Sequence, residues 1–181
     1  MKASELNKLK TEIQVKAKNG IDFILAASIV WFGISFIWIL EYSPYDKSIF
    51  TFIFGSVMLP LAFGLSKVLK TKWKIEGNNL QPLGLWLNFA RPFYFPFLIF
   101  ILLASPKYFI MTYAIITGAH LFPYAWFYDE IGYAITAGLV SIGALLIGLN
   151  IAPEDIFYAA LLTAIALMLL GIRILIKLKR E

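Results

Sequence analysis

The stretch KYFIMTYAIITGAHLFPYAWFY, residues 107–128, decides the fold. At about 1.5 Å per residue it extends to roughly 33 Å as a helix, enough to cross a bilayer core of about 30 Å. It also holds the chain's one histidine, His120. Within it Tyr113, Thr117, His120, Tyr124 and Tyr128 recur at steps of three and four residues. At about 100° per residue they therefore share roughly one quarter of the helix surface. The segment reads as a membrane span with one wet face. Three residues after the histidine, Pro123 lacks the amide that would bond the carbonyl of Ala119, which leaves a polar acceptor beside the imidazole. A site is expected there.

The whole chain agrees with that reading. It has 181 residues, 60% hydrophobic and 17% aromatic, with a mean hydropathy of +0.78. That is too apolar for a soluble domain and too long for a single anchor. The expected fold is all-α, a polytopic transmembrane bundle of six spans forming one domain. No cysteine is present, which excludes disulfides, thiolate nucleophiles and cysteine-based metal sites. The net charge of +5 comes from basic residues beside the apolar stretches. They do not form a groove interleaved with aromatics, so no nucleic-acid partner is expected.

Residues 1–19 place Leu6, Leu9, Ile13 and Ala17 at helical spacing among Lys2, Lys8, Lys10, Lys16 and Lys18. Two readings stand: a basic amphipathic helix on an anionic membrane surface, or a solvated tail whose lysines fix orientation. The six spans are expected at about 20–40, 48–69, 83–104, 107–128, 131–149 and 154–176, followed by a basic tail, 177–181. Pro82, Pro106 and Pro153 sit where a first-turn proline would open a helix, with Ser105 as the cap before Pro106. Six spans put both termini on one side. Of the sixteen basic residues, thirteen fall on that side: the five N-terminal lysines, Lys67, Lys70, Lys72 and Lys74, and the C-terminal four from Arg173. The positive-inside rule makes that side cytoplasmic. Small residues mark close helix approaches, with Ala137, Ser141, Ala144 and Gly148 on the fifth span and Ala160, Ala164 and Gly171 on the sixth. The segments GSVMLPLAF from Gly55 and GAHLFPYAW from Gly118 form a faint internal echo.

Arg91 falls inside the third span, where a charge costs about 2.5–3.5 kcal/mol at the bilayer centre. Gln81, Gly84, Asn88 and Arg91 share a face, and Pro92 and Pro96 are expected to free the carbonyls of Asn88 and Pro92. Counting residues inward puts Arg91 and His120 at one depth, about 12 Å from the cytoplasmic end. In one reading Asn88, Arg91, Thr117, His120 and Tyr124 line a cytoplasm-facing pocket between the third and fourth spans. In the other, Arg91 snorkels outward to Asp22, Asp129 or Glu130 while His120 bonds a neighbouring hydroxyl or backbone group. Asp22 and Arg173 read as anchors.

Retinal, a multi-ligand zinc or di-iron site, a carboxylate proton relay and a Ser-His-Asp hydrolase all need residues the spans lack. No metal or cofactor is expected, and no catalytic residue is assigned. At 118–128, GAHLFPYAWFY, the chain resembles an uncharacterised family of small bacterial multi-span proteins that carry a Gly-Ala-His-x-x-Pro-Tyr segment. The resemblance takes in Leu-Pro-Leu-Ala at 59–62 and most of the spans. It implies a bacterial membrane protein and no particular activity. The expectation is therefore a multi-pass protein of the bacterial cytoplasmic membrane. Its partners would be the bilayer and a small polar or amphipathic ligand, an anion being one candidate, bound or transported, and a homo-oligomer is compatible with that role. Two alternatives stay open. One is a lipid-acting enzyme using His120 as base and Arg91 to hold phosphate; the other is a non-catalytic accessory subunit.

Overall fold

In the computed structural model, which describes residues 3–180, the chain is helical almost throughout, with no strand among the described residues. Lys2 and Glu181 lie outside the described residues. The helices are α1 Ala3–Ala17, α2 Ile21–Ile39, α3 Pro44–Gly55, α4 Met58–Leu69, α5 Gln81–Ala90, α6 Phe95–Ala104, α7 Phe109–Phe127, α8 Ile131–Asn150 and α9 Phe157–Leu178. Five helical runs are long and apolar enough to cross a membrane: the run through α1–α2, α3–α4, α5–α6, α8 and α9. This is a multi-pass membrane protein. The α7 helix, about 29 Å long at helical rise, is tempered by its Thr, Tyr, Gly and His residues. Its place in the bundle explains why it can be: eleven of its nineteen residues are buried, so protein rather than lipid forms most of its surroundings.

The helices alternate in direction. Ser28 Oγ donates to the Ala164 carbonyl at 3.0 Å, and Gly171 sits beside Ile21, Ile24 and Leu25, so α2 and α9 run antiparallel. Lys18 Nζ donates to the Leu69 carbonyl at 2.8 Å, and Tyr133 OH to the Asn19 carbonyl at 2.6 Å. These bonds gather the start of α2, the end of α4, the start of α8 and the end of α9 at one end of the bundle, here called the terminal end.

Small residues set the closest approaches. The Ala137 and Ser141 face of α8 packs on Gly118 of α7, where Ser141 Oγ lies 3.3 Å from the Ile115 carbonyl. Ala160, Ala164 and Gly171 of α9 are buried, with Ala164 and Gly171 meeting α2. Buried Trp38 ties α2 to α3 through Nε1 donating to Thr51 Oγ1 at 2.9 Å. Both serine and tryptophan bonds satisfy polar groups that would otherwise be unpaired in an apolar interior.

Two expected spans are broken at proline. Pro60 would clash with the carbonyl of Ser56, and the second span breaks between α3 and α4 at 56–57. Pro123 leaves α7 continuous, so the two echoing segments have different backbone shapes. In the third span Pro92 and Pro96 produce a 3-10 turn, Arg91–Tyr94, between α5 and α6. The carbonyls of Asn88 and Pro92 do not stand free as the sequence suggested. They accept from the amides of Arg91 and Phe95, because tightening to 3-10 geometry restores the bonds that proline removed. The α5 helix starts one residue before Pro82, with Asn78 Oδ1 accepting from the amides of Leu80 and Gln81. Ser105 makes no side-chain cap.

The α1 helix is docked on the bundle. A left-handed turn at Lys18, Asn19 and Gly20 folds it across the terminal end. There the Lys16 carbonyl accepts from the Lys72 amide at 2.9 Å. Asn78 Nδ2 donates to the Leu9 carbonyl at 2.9 Å and to Glu12 Oε2 at 2.8 Å. Ile13 is only 1% exposed, so the amphipathic face packs on protein. Because Asn78 both holds α1 and caps α5, Asn78→Ala should cost about 1–2 kcal/mol locally. Amide exchange in α1 should quicken by roughly 5- to 30-fold, while exchange in α8 and α9 stays as in the wild type.

A polar strip on the fourth span

Arg91 reaches across from the α5–α6 break to α7. Its Nη2 donates to Tyr113 OH at 3.1 Å and lies 3.5 Å from Thr117 Oγ1. The guanidinium carbon stands 5.7 Å from the centre of the Tyr113 ring, which packs in turn on Trp31 at 5.0 Å. One turn along the same face is His120, half-buried, with its ring 5.5 Å from that of Tyr124. Tyr124, Tyr128 and Tyr133 then form a mutual cluster with centroids 5.6–5.9 Å apart. The hydroxyl of Tyr133 ends the file at the Asn19 carbonyl. A strip of polar groups thus runs from the middle of α7 to the terminal end.

The three carboxylates expected to draw Arg91 outward are engaged elsewhere. Buried Asp22 accepts from Thr71 Oγ1 at 2.7 Å and from Trp73 Nε1 at 2.6 Å, pinning the loop after α4. Asp129 stands 3.7 Å from Lys10, and Glu130 is held by Arg173 and Lys177. The snorkelling reading is therefore overturned. Arg91 points the other way, toward Tyr113 and Thr117, which lie about 5–10 Å deeper than His120 at helical rise. It does so because a long side chain at a helix break can reach along the axis in either direction, and the hydroxyls of α7 are the acceptors within reach. Its Nε is buried without a hydrogen-bond partner among the described residues, and so is Tyr124 OH. Orphaned polar atoms of this kind are uncommon in folded proteins.

Asn88 stands apart from the other four residues expected with it. Its amide donates back to the Gly84 carbonyl at 3.0 Å, and its exposed side chain lines a cavity of about 160 Å³ at the terminal end. Asp22, Trp73, Gln81 and Tyr128 share that wall, and Ile13 of α1 closes it. The space matches about five waters. Arg91 lies one helical turn beyond Asn88, so the cavity ends close to the polar strip. Tyr113, the residue that holds Arg91, belongs to the helical stripe visible in the sequence. Tyr133 and Asp22 come from helices distant along the chain and carry no such signal.

No curated protein and no solved structure matches this chain. A model of a family of unknown function, DUF7010, matches residues 6–177. That match runs from α1 to the last turn of α9, and the chain belongs to the DUF7010 family.

Proposed function

We propose that this membrane protein binds a small polar or amphipathic ligand, anionic where it meets Arg91, and carries it between the terminal side and the middle of the membrane. One observation supports this reading above the others: a guanidinium at mid-span with neutral partners only. Tyr113 and Thr117 share hydrogen bonds with Arg91 but do not neutralise it. Keeping an ion at that depth costs about 2.5–3.5 kcal/mol on the insertion scale, and an anion would recover that cost through charge-assisted bonds. The unpartnered Arg91 Nε and Tyr124 OH supply two further donors, and the cavity beside Asn88 stands at the terminal end one helical turn short of Arg91. The lysine distribution and the Gly-Ala-His-x-x-Pro-Tyr segment favour a bacterial cytoplasmic membrane with that end facing the cytoplasm.

The test is native mass spectrometry of gently purified full-length protein, wild type beside Arg91→Leu and an Arg91→Leu, His120→Ala double variant. A discrete small-molecule adduct on the wild type, reduced at least tenfold in both variants, is expected. An adduct retained equally by all three, or three equally bare and equally stable proteins, would overturn the ligand reading and leave the strip a structural feature of an accessory subunit.

A further inference from the structure

A second site lies at the terminal end between α7, α8 and α9, away from Arg91. It is an open groove of about 500 Å³ whose lining includes Phe122 and Trp126 of α7, Glu130 of the turn, Ile131 of α8 and Arg173 and Lys177 of α9. We propose that it holds the headgroup phosphate of an acidic phospholipid.

The charged wall is already organised. Glu130 is 1% exposed and uses both oxygens: Oε1 accepts from Arg173 Nε at 2.6 Å and from the Gly132 amide at 3.0 Å, and Oε2 from Lys177 Nζ at 3.1 Å. This fixes the guanidinium through its Nε edge. Its terminal nitrogens make no hydrogen bond to any described residue, and the side chain remains 54% exposed. A guanidinium held by one edge presents its other edge as a fork, the geometry that takes two phosphate oxygens together. Docking of α1 brings a third cation, Lys10, behind the rim of the groove: its largely buried side chain lies 4.8 Å above the Trp126 ring and 3.7 Å from Asp129. Arg173 and Lys177 in the lining, with Lys10 behind the rim, outnumber Asp129 and the buried Glu130, and the surplus is positive.

The other wall argues for a lipid over a free anion. Phe122, Trp126, Ile131 and Ile135 are all exposed. Phe122 lies one turn deeper than Trp126, as Ile135 does beyond Ile131, so the apolar surface continues from the charged rim toward the membrane interior. A water-soluble phosphate would leave that wall uncovered, whereas an acyl chain covers it. Trp126 at the rim is the residue type that settles at headgroup level.

The experiment exposes full-length protein to equimolar phosphatidylglycerol and phosphatidylcholine and reads the bound lipids by native mass spectrometry. The wild type should favour phosphatidylglycerol by about tenfold. A Lys10→Gln, Lys177→Gln variant should lose about fivefold or more of that preference, given the contribution of each basic residue near a membrane surface. Lys10→Gln alone leaves the Glu130 pairs intact and should shift it in the same direction. Lys107→Gln, at a lysine that stands over the Tyr108 ring at the opposite end of the bundle, should leave it unchanged, which ties the preference to the terminal end. Equal binding of the two lipids, an unaltered preference in Lys10→Gln and the double variant, or displacement of the lipid by millimolar inorganic phosphate would overturn the proposal.

Discussion

Gly118→Leu should prevent the protein from accumulating as a folded species. A Cβ at Gly118 would lie 2.5 Å from Ser141 Oγ, 2.9 Å from the Ser141 amide nitrogen and 3.0 Å from the Ala137 carbonyl oxygen. Two of those three atoms are backbone and cannot rotate away, so α7 and α8 would have to separate along their shared face. Overpacking in a yielding core costs about 1–3 kcal/mol, and here the obstacle is rigid. A loss above about 3 kcal/mol would remove a large part of a typical folding free energy of roughly 5–15 kcal/mol. The control is Gly138 on α8, where a Cβ would meet nothing within 4 Å. Gly138→Ala should be neutral or stabilising by about 0.5–1 kcal/mol through helix propensity. Thermal unfolding followed by fluorescence-detected size exclusion reads both. Equal behaviour of the two variants would show that the α7–α8 contact is not what sets stability.

Glu130→Ala should lower stability by about 2 kcal/mol at neutral pH and abolish a component of acid unfolding. Burial pushes the Glu130 carboxyl up. The hydrogen bond from Arg173 opposes this, helped by the Gly132 amide and Lys177, and together they hold it below its ordinary value of 4.5. A carboxyl with a lower pKa folded than unfolded contributes stability that is fully present above 4.5 and is lost as pH falls through the lowered folded value. The wild type should therefore lose melting temperature on acidification below that point, and Glu130→Ala should show a flatter acid limb. Removing one partner of a fully buried pair costs about 3–5 kcal/mol. The smaller figure applies because Arg173 and Lys177 are partly exposed and can return to water. An acid limb as steep in Glu130→Ala as in the wild type would place the titrating group elsewhere.

The apolar runs, the first-turn prolines at Pro82 and Pro106 and the small-residue stripes made the bundle legible from sequence, since each states a local requirement of a helix in lipid. The stripe from Tyr113 to Tyr128 was legible for the same reason: residues three and four apart must share a face. The direction of Arg91 was not, because counting residues fixes the depth of a Cα and says nothing about which way a long side chain leans. Nor was the docking of α1. Its anchors include the main-chain carbonyls of Leu9 and Lys16, which every sequence possesses, and their partner Asn78 lies in a polar loop that reads only as a turn. The repaired carbonyls of Asn88 and Pro92 went unforeseen because proline marks where a bond is lost and is silent on how the backbone recovers.

The pairing of α2 with α9 also dictates an order of assembly. Ser28 and Ala164, hydrogen-bonded in the finished bundle, are 136 residues apart. At a synthesis rate of roughly 5–20 residues per second, about 7–27 s pass between their emergence from the ribosome. During that interval α2 holds Ser28 in the bilayer without its final partner, and for most of it Tyr133 has yet to close on Asn19. The α2 helix thus precedes its partner α9 by most of the bundle, and a nascent chain halted before α9 would expose Ser28 to lipid or to the insertion machinery.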